Sequence, residues 1–533
     1  MTERTSVLVV GAGLAGLASA MFLAGRGVDV LLVERRSGTS MFPRAVGQNQ
    51  RTMELLGFGG IADAVPTHTP GRSMFRVRIA ASLRGPTLHE ERSETDPADL
   101  DALSPAALGT AGQDALEPLL RRRAEELGAT LRFDTELVSF DQDDDGVTAV
   151  LRGRSGERPS RVRADYLVAA DGNRSGVRGA LGVDRHGPGS LGHNISIIFD
   201  ADLGDLTDRE PTLHVLHADE ASGIFLTLDH AAGRHLYSVA HDPADDGTSP
   251  ADFTPERCTE LVRRVTELPD LRPEIKAVQP WEMAASVADR FRVGRVLLAG
   301  DAAKVTPPSG GLGGNTAIGD AYDLSWKLAA VLDSSAGTAL LDSYDAERRP
   351  MAERVVAAAL KLLAGRGAVP AGESTEPEPA TDQQGTLPVT LGFRYRSSAV
   401  LTEDDDPADS EDPYRPSGRP GFRAPHVWLH HGGGTTSTVH LFGRDFVLLS
   451  GVEGGFWSGV AAEVAARLGT SVRPHVIGEQ LTDPTGAFLA RYGIGPSGAS
   501  LVRPDGVVAW RAAEAPGDPA QALHRALTAV LSR

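Results

Sequence analysis

The sequence predicts an α/β protein in three parts: a parallel-sheet domain, an antiparallel-sheet domain interleaved with it, and a small α/β domain after both. Three observations predict this arrangement. A glycine-rich βαβ unit opens the chain, short strands at hairpin spacing occupy 190–290, and strands alternate with helices again beyond residue 426. A chain of 533 residues is expected to contain two or three domains.

The opening unit has the pattern of a Rossmann-like nucleotide-binding domain. A β-branched strand at 7–10 leads into Gly11, Gly13 and Gly16, which have the G-x-G-x-x-G spacing. In this pattern Gly11 allows a tight turn, Gly13 lets a pyrophosphate touch the backbone, and Gly16 lets the helix and strand pack closely.

The helix of this unit begins at Leu14 and Ala15, so its unpaired N–H groups and partial positive charge face the phosphates. A second strand, 28–33, ends at Glu34, followed by Arg35. An acidic side chain at that position can accept hydrogen bonds from a ribose 2′-OH. Because strand, helix and acidic strand end are all present, dinucleotide binding is favoured over an incidental glycine-rich turn.

The composition excludes several classes of protein. The formal net charge of −18 argues against a nucleic-acid partner, because no basic stripe is available to neutralise phosphates. The single cysteine, Cys258, excludes an internal disulfide and a cysteine-based metal site. There is no stretch of eighteen apolar residues and no signal-peptide pattern in residues 1–6, so we expect a cytoplasmic protein with no membrane partner.

Periodicity predicts the remaining elements in order. Up to residue 170 we expect helices at 49–56 and 113–127 and strands at 130–133, 137–141, 146–151 and 166–170. The antiparallel sheet is predicted from 195–199, 213–216, 224–228 and 236–240, with a helix at 254–268. A buried strand at 295–301, a glycine-rich loop at 307–315 and helices at 316–332 and 339–363 follow.

The last third begins with a long connector rich in Pro, Gly, Ser and acidic residues, for which one strand, 389–393, is predicted. The final domain alternates strands at 446–449, 472–477 and 507–510 with helices at 460–468 and 519–531. Pro474 makes the middle strand the weakest of these predictions. No Cys-x-x-Cys motif is present, so dithiol chemistry is excluded there.

Two later turns carry further chemistry. Asp171 and Asp301 each follow a predicted parallel strand, where an aspartate points into the crevice that binds ligands. Asp301 is placed to accept hydrogen bonds from ribitol hydroxyls. The glycine-rich loop after it lets N–H groups approach a flat ring, and the next helix directs its dipole towards that ring. Candidate loop residues are Pro308, Gly311, Gly313, Gly314 and Asn315.

With these three motifs, 11–16 with Glu34, 166–178, and 300–315, the chain resembles the class A FAD-dependent aromatic hydroxylases of the p-hydroxybenzoate hydroxylase type. It is most similar to the branch that hydroxylates aromatic polyketides of the anthracycline, angucycline and tetracenomycin type. The segments around Arg44 and Gln113 also match. The resemblance covers 1–360, and the last hundred residues resemble the thioredoxin-like domain of this branch.

The resemblance implies the cofactor contacts and the chemistry. It implies that Gln113 contacts the flavin side, that Arg44 lies near the pyrophosphate or the flavin's path, and that backbone near Val138 meets the adenine. NADPH or NADH is expected to reduce FAD, and O₂ then forms a flavin C4a-hydroperoxide that attacks an electron-rich aromatic carbon of a small polyketide. Because the cofactor carries this chemistry, no catalytic triad or metal cluster is expected.

The substrate pocket is expected between the flavin loop and the antiparallel sheet. Its candidate lining residues are Phe225, Leu226, Leu228, Tyr237 and Trp281. A phenol is activated by losing its proton, so a base or a basic side chain is expected nearby. The candidates are His235, Tyr237, His241, Arg366 and Arg44. Four other histidines lack ligand spacing backed by carboxylates, so no metal site is predicted.

Several alternatives stay open. Baeyer–Villiger oxidation or epoxidation on the same scaffold is an alternative reaction, and a flavin-binding accessory protein without turnover is an alternative role. Lys304, where many relatives have histidine, and Gly314, where many have a larger apolar residue, are departures whose effect the sequence leaves open. The sequence also leaves open whether the electron donor is NADH or NADPH, and whether the protein is a monomer or a homodimer.

These expectations divide the chain into four parts. The FAD-binding domain is predicted at 1–70, 105–185 and 290–365, and the substrate-binding sheet domain at 71–104 and 186–289. The connector is predicted at 366–426 and the thioredoxin-like domain at 427–533.

Overall fold

The computed structural model describes residues 2–40, 42, 46–67, 76–92, 97–153, 158–207, 212–218, 221–241, 249–365, 382–403 and 407–533. Its first sixteen strands are β1 (Glu3–Val10), β2 (Val30–Val33), β3 (Arg76–Ala80), β4 (Thr87–Arg92), β5 (Thr130–Arg132), β6 (Thr135–Asp143), β7 (Gly146–Gly153), β8 (Ser160–Ala169), β9 (Arg185–Asp200), β10 (Thr212–Leu216), β11 (Gly223–Asp229), β12 (Arg234–His241), β13 (Glu274–Ala288), β14 (Arg292–Val293), β15 (Val296–Leu298) and β16 (Lys304–Val305).

The later strands are β17 (Trp428–His431), β18 (Gly434–Ser437), β19 (Phe446–Ser450), β20 (Val472–Val476), β21 (Ala499–Val502) and β22 (Val508–Ala512). The α-helices are α1 (Leu14–Ala24), α2 (Gln50–Phe58), α3 (Pro97–Leu103), α4 (Gln113–Glu126), α5 (Gly176–Ala180), α6 (Pro255–Thr266), α7 (Leu312–Leu332), α8 (Asp342–Gly365), α9 (Asp382–Thr390), α10 (Trp457–Leu468), α11 (Phe488–Tyr492) and α12 (Pro519–Val530).

The glycine-rich unit forms the centre of the first sheet, whose strand order is β14-β15-β8-β1-β2-β5. Strand β1 pairs in parallel with β2 and with β8, and β15 pairs in parallel with β8. Val7, Leu8 and Val9 are fully buried, as expected for a parallel strand covered on both faces. Because these strands run in the same direction, the turns that follow β1, β8 and β15 lie at one edge of the sheet.

The second sheet has the order β16-β13-β9-β12-β11-β10-β3-β4 and is largely antiparallel, as the hairpin spacing predicts. Helix α6 covers one face of it, where Val262 of the helix packs in one core with Phe225 and Ile197 of the sheet. Thr254 caps α6 by accepting a hydrogen bond from Arg257 N–H. The long strands β9 and β13 pair along most of their length. Strand β13 also pairs with β16, which begins just after the turn that follows β15.

The C-terminal sheet has the order β20-β19-β21-β22, with α10 and α12 packed on it. Leu448, Trp457 and Leu501 are buried in its core. The predicted strand at 472–477 is confirmed, and Pro474 is tolerated because β20 is an edge strand that pairs with β19 alone. This arrangement is thioredoxin-like, as expected for the family branch.

The strand predicted at 389–393 is wrong, because residues 382–390 form helix α9. Its β-branched residue Val389 packs against Leu312, Val355 and Ala359, so tertiary contacts outweigh local propensity. Helix α7 begins at Leu312, four residues before the predicted start, and strands β13 and β21 were not predicted.

The last part of the predicted connector is packed rather than open. Ala399, Phe422 and Ala424 are fully buried, and the buried side chain of Arg394 donates to the backbone oxygen of Pro420 at 3.2 Å. The residue limits predicted for the four parts of the chain stay predictions.

Candidate active site

The structure brings the turns after β1, β8 and β15 together. A side-chain carbon on Gly11 would lie 2.3 Å from the backbone oxygen of Ala170 and 3.1 Å from Asp171 N. One on Gly300 would lie 2.7 Å from the Cβ of Ala15 at the start of α1. The three turns therefore form one surface at the carboxyl edge of the first sheet.

The three glycines of the first turn have different surroundings. Gly11 has a φ of 103°, which favours glycine, and a Cβ on Gly16 would lie 1.8 Å from the backbone oxygen of Gly11. A Cβ on Gly13, in contrast, would meet nothing closer than Glu117 Oε1 at 3.9 Å. Gly13 is therefore the glycine of this motif whose Cα faces open space, where a ligand can reach the backbone.

Two helices begin at this surface without a side-chain cap. Gly13 precedes α1, Gly311 precedes α7, and neither helix has an acidic residue in its first turn. The N–H groups of these first turns are therefore free of capping side chains and can bind negatively charged groups. They belong to Leu14, Ala15, Gly313 and Gly314.

Asn315 fixes the position of α7. Its Oδ1 accepts from Asn49 N–H at 2.9 Å, and its Nδ2 donates to the backbone oxygens of Gly47 at 3.2 Å and Gly311 at 2.8 Å. The start of α7 is thereby tied to the segment just before α2.

The acidic residues of the site are held by backbone N–H groups. Glu34 Oε2 accepts from Ala12 N–H at 2.8 Å. Asp171 Oδ2 accepts from Val177 N–H at 3.1 Å, while its Oδ1 is buried and has no partner among the described residues. A buried carboxylate oxygen without a donor is rare, and a ligand hydroxyl or water would satisfy it.

Gln113 and Glu117 lie under the same surface, on α4. Glu117 Oε1 accepts from Gln113 Nε2 at 2.6 Å, and Glu117 Oε2 accepts from Ser40 N–H at 2.7 Å. Burial raises the pKa of Glu117. No donor among the described residues bonds the amide oxygen of Gln113, so this oxygen can accept from a ligand. Four other predicted cofactor residues are exposed: Arg35, Val138, Asp301 and Pro308.

Arg178 joins the second turn to the third, a role that sequence reasoning missed. It donates from Nη1 to the backbone oxygen of Ala302 at 2.9 Å and from Nη2 to that of Asn173 at 2.8 Å. An arginine six or seven residues after an Asp-Gly turn was visible in the sequence, but its distant acceptor was not.

The face of the second sheet opposite α6 presents a half-buried apolar surface. Alternation along β11 and β12 places Ile224, Leu226, Leu228 and Leu236 on this face, which we call the open face. Trp281 of β13 lies on the same face, and its Nε1 donates to the hydroxyl of Ser196 at 2.9 Å.

Phe225 and Tyr237 lie on the opposite face, against α6, so the structure revises their assignment to the substrate pocket. Both are fully buried in the core of this sheet. The hydroxyl of Tyr237 donates to the backbone oxygen of Ala221, and burial raises the pKa of Tyr237. Tyr237 is therefore not placed to act as a base towards a ligand on the open face.

Two histidines proposed as bases share that covered face. His235 packs against Phe199 and Phe225, and burial lowers its pKa. His241 packs edge-on against Phe253. The sequence could not separate the two faces, because both carry apolar residues. Arg44 and Arg366 lie outside the described residues.

Comparisons with known proteins decide the family. Residues 4–359 match the family described as FAD binding domain, and residues 417–533 match the family described as aromatic-ring hydroxylase, C-terminal. The chain is 51% identical to aklavinone 12-hydroxylase RdmE of Streptomyces purpurascens, over 100% of this chain and 99% of the relative. The chain belongs to the FAD-dependent aromatic-ring hydroxylases.

Other hydroxylases and solved structures agree with this. The chain is 41% identical to tetracenomycin A2 monooxygenase-dioxygenase of Streptomyces glaucescens, over 100% of this chain and 98% of the relative. The crystal structure of a ternary complex of aklavinone-11 hydroxylase with FAD and aklavinone superposes with a TM-score of 0.92 at 49% identity, covering 100% of both chains. The monooxygenase PieE, in complex with FAD and substrate, superposes at 0.87 with 33% identity, covering 99% of each chain. The hydroxylase is therefore a flavoprotein monooxygenase.

The residues of the site fit FAD. Gly13 faces open space, two uncapped helix N-termini meet at one surface, and Asp171 has a buried oxygen without a donor. Backbone N–H groups suit the pyrophosphate and the electron-rich edge of the flavin, and the carboxylates suit hydroxyl groups.

A second buried group of charges lies behind the site, where α7 and α8 meet the C-terminal domain. In the described part of the hydroxylase, the carboxylates of Asp323, Glu347 and Asp505 lie within 4.8 Å of one another. Lys327 and Arg503 pair with them, at 2.7 Å and 2.6 Å from Glu347, so two cations share this group of three carboxylates. No helix within the described ranges is long and apolar enough to cross a membrane.

Proposed function

We propose that this hydroxylase adds one oxygen atom to an aromatic polyketide related to anthracycline aglycones, with FAD, NADPH or NADH, and O₂ as redox partners. The observation that carries the proposal is the open face of the second sheet, a half-buried apolar surface whose strand β13 leads to the flavin-binding turn. The names of the similar proteins, aklavinone hydroxylases and a tetracenomycin monooxygenase, support this substrate class.

The geometry suits a flat, largely apolar ligand. Trp281 lies on the open face, and Val287 of the same strand pairs with Lys304 just after the Gly300 turn. Six residues of strand span about 20 Å, so strand β13 links the open face to the cofactor site. Aromatic and aliphatic side chains bind such a ligand through buried area.

When bound, FAD supplies the electron transfer and oxygen activation that hydroxylation requires. The chain's own residues bind and orient the cofactor, hold the substrate ring, and exclude water. The residues that we propose for cofactor binding are Gly11, Gly13, Leu14, Ala15, Gly16, Glu34, Arg35, Arg44, Gln113, Val138, Asp171, Asp301, Pro308, Gly311, Gly313, Gly314 and Asn315. We propose that Leu226, Leu228 and Trp281 contact the substrate. Arg44 and Arg366 are our candidates for catalytic residues.

The test begins with the purified protein. We expect a yellow protein with bound FAD whose NADPH oxidation is stimulated by anthracyclinone phenols, and a product that gains one oxygen and keeps its aromatic rings. As a variant, Leu226→Trp fills the open face and should raise KM for the phenol without changing FAD affinity. Leu88→Trp, on the exposed edge strand β4, is the matched control.

Each alternative predicts a different result. A ring-expanded lactone or an epoxide of the same mass, distinguished by NMR, would indicate Baeyer–Villiger oxidation or epoxidation. FAD binding without substrate-stimulated NADPH oxidation would indicate an accessory protein. A Leu226→Trp variant with unchanged KM would contradict the assignment of the open face.

A further inference from the structure

The strongest unassigned feature of the site is the ion pair between Lys304 and Asp320. Lys304 Nζ lies 2.6 Å from Asp320 Oδ2, and both side chains are almost completely buried. Burial lowers the pKa of Lys304, because the charged amine loses its hydration. A buried pair of this kind contributes little net stability compared with apolar residues of the same shape, so its position calls for another explanation.

Asp320 joins this pair to the flavin-binding turn. Its Oδ2 also accepts from the N–H of Gly300 at 3.2 Å. Gly300 is the first residue of the third turn. Its Oδ1 accepts from Arg348 Nε of α8 at 2.8 Å, so both oxygens are in use. Arg348 in turn donates to the backbone oxygen of Thr316 at 3.1 Å, near the start of α7.

The result is a rigid support between two cofactor-binding elements. The carboxylate of Asp320, which lies on α7, holds the backbone of the Gly300 turn and the amine of Lys304 four residues later. Arg348 adds a second link, from this carboxylate to the first turns of α7. The third turn carries Asp301, and α7 carries the uncapped N–H groups. Any change in this carboxylate would therefore alter the relative position of these two elements.

We propose that Lys304 and Asp320 are positioning residues for FAD, which hold the Gly300–Asp301 turn at a fixed distance from the start of α7. The inference rests on FAD binding and is independent of which substrate is hydroxylated. Neither side chain touches the cofactor in this proposal, since both are buried behind the turn.

The test measures the dissociation constant of FAD from apoprotein by flavin fluorescence, together with thermal unfolding of the apoprotein. Lys304→Met should weaken FAD binding about tenfold, because Asp320 loses its nearest donor and the turn loses its fixed position. Lys304→Gln keeps an N–H donor of similar length and should restore part of the affinity.

Lys327→Met is the matched control, because Lys327 is equally buried on α7 and pairs with Asp323 and Glu347, away from the turn. It should lower the unfolding temperature and leave FAD affinity unchanged. The proposal is overturned if Lys304→Met binds FAD like the wild type, or if Lys327→Met weakens FAD binding to the same extent. Asp320→Asn combined with Lys304→Met should bind FAD no more weakly than Asp320→Asn alone, and full additivity would also contradict the pairing.

Discussion

Arg178 and Ala302 connect two turns that are more than 120 residues apart in the sequence. The guanidinium donates to the Ala302 backbone oxygen at 2.9 Å and also to that of Asn173 at 2.8 Å. Arg178 thus joins the second and third turns of the cofactor site, while Asp320 holds the third turn to α7. The edge of the first sheet is therefore fixed by side chains as well as by strand pairing.

Replacing Arg178 should separate these turns. Arg178→Met leaves the backbone oxygen of Ala302 without its charged donor and that of Asn173 with Arg185 Nη1 at 3.5 Å. It should reduce the free energy of unfolding by about 2–3 kcal/mol and weaken FAD binding. Urea unfolding and a FAD titration measure both effects. Arg185→Met is the control, because Arg185 is exposed and also bonds Asn173; an equal loss in the two variants would contradict the bridging role.

Substitutions of the glycines of the first turn should affect different properties of the protein. Gly13→Ala places its methyl group in open space, so the protein should fold normally but bind FAD at least about tenfold more weakly, because the backbone can no longer approach the pyrophosphate. Gly16→Ala would collide with the Gly11 oxygen and should instead lower stability. Circular dichroism and FAD titration separate the two outcomes. Gly179→Ala, on α5 with nothing within 4 Å, should change neither.

The charges behind the site should make stability depend on pH. Asp323, Glu347 and Asp505 share two cations, and burial raises the pKa of Asp323 to about 7. The folded protein therefore holds the proton of the Asp323 carboxyl more tightly than the unfolded chain does. The resulting contribution to the free energy of unfolding is fully present below about pH 4 and is lost as pH rises towards 7.

Asp323→Asn should remove that part of the pH dependence. We expect the difference in unfolding free energy between pH 5 and pH 8 to become smaller in the variant, measured by urea unfolding at each pH. Asp333→Asn, at the end of α7 and exposed, is the control. An unchanged pH profile in Asp323→Asn would show that another group carries the proton.

A substitution of Trp281 should weaken substrate binding and leave FAD binding unchanged. Trp281→Phe removes the Nε1 bond to Ser196 and part of the apolar area of the open face, so KM for an anthracyclinone phenol should rise about five- to tenfold. FAD affinity should stay unchanged. Trp428→Phe, in the C-terminal domain, is the control; a shift in FAD affinity rather than in KM would place Trp281 at the cofactor instead.

The sequence by itself determined which edge of the first sheet binds the cofactor. The spacing of Gly11, Gly13 and Gly16, with Glu34 at the next strand end, depends on local backbone geometry, which a short stretch encodes completely. The aspartates after β8 and β15 could be placed because parallel strands end at the same edge. The family resemblance then followed from these motifs.

Only the tertiary structure decided which side chains face the site. Phe225 and Leu226 are adjacent and both apolar, yet α6 covers one and leaves the other on the open face. Arg178 and Arg503 have partners 124 and 156 residues away in the chain, which no local pattern indicates. Local conformation is set by neighbouring residues, whereas burial and ion pairing depend on which distant elements come to lie against each side chain.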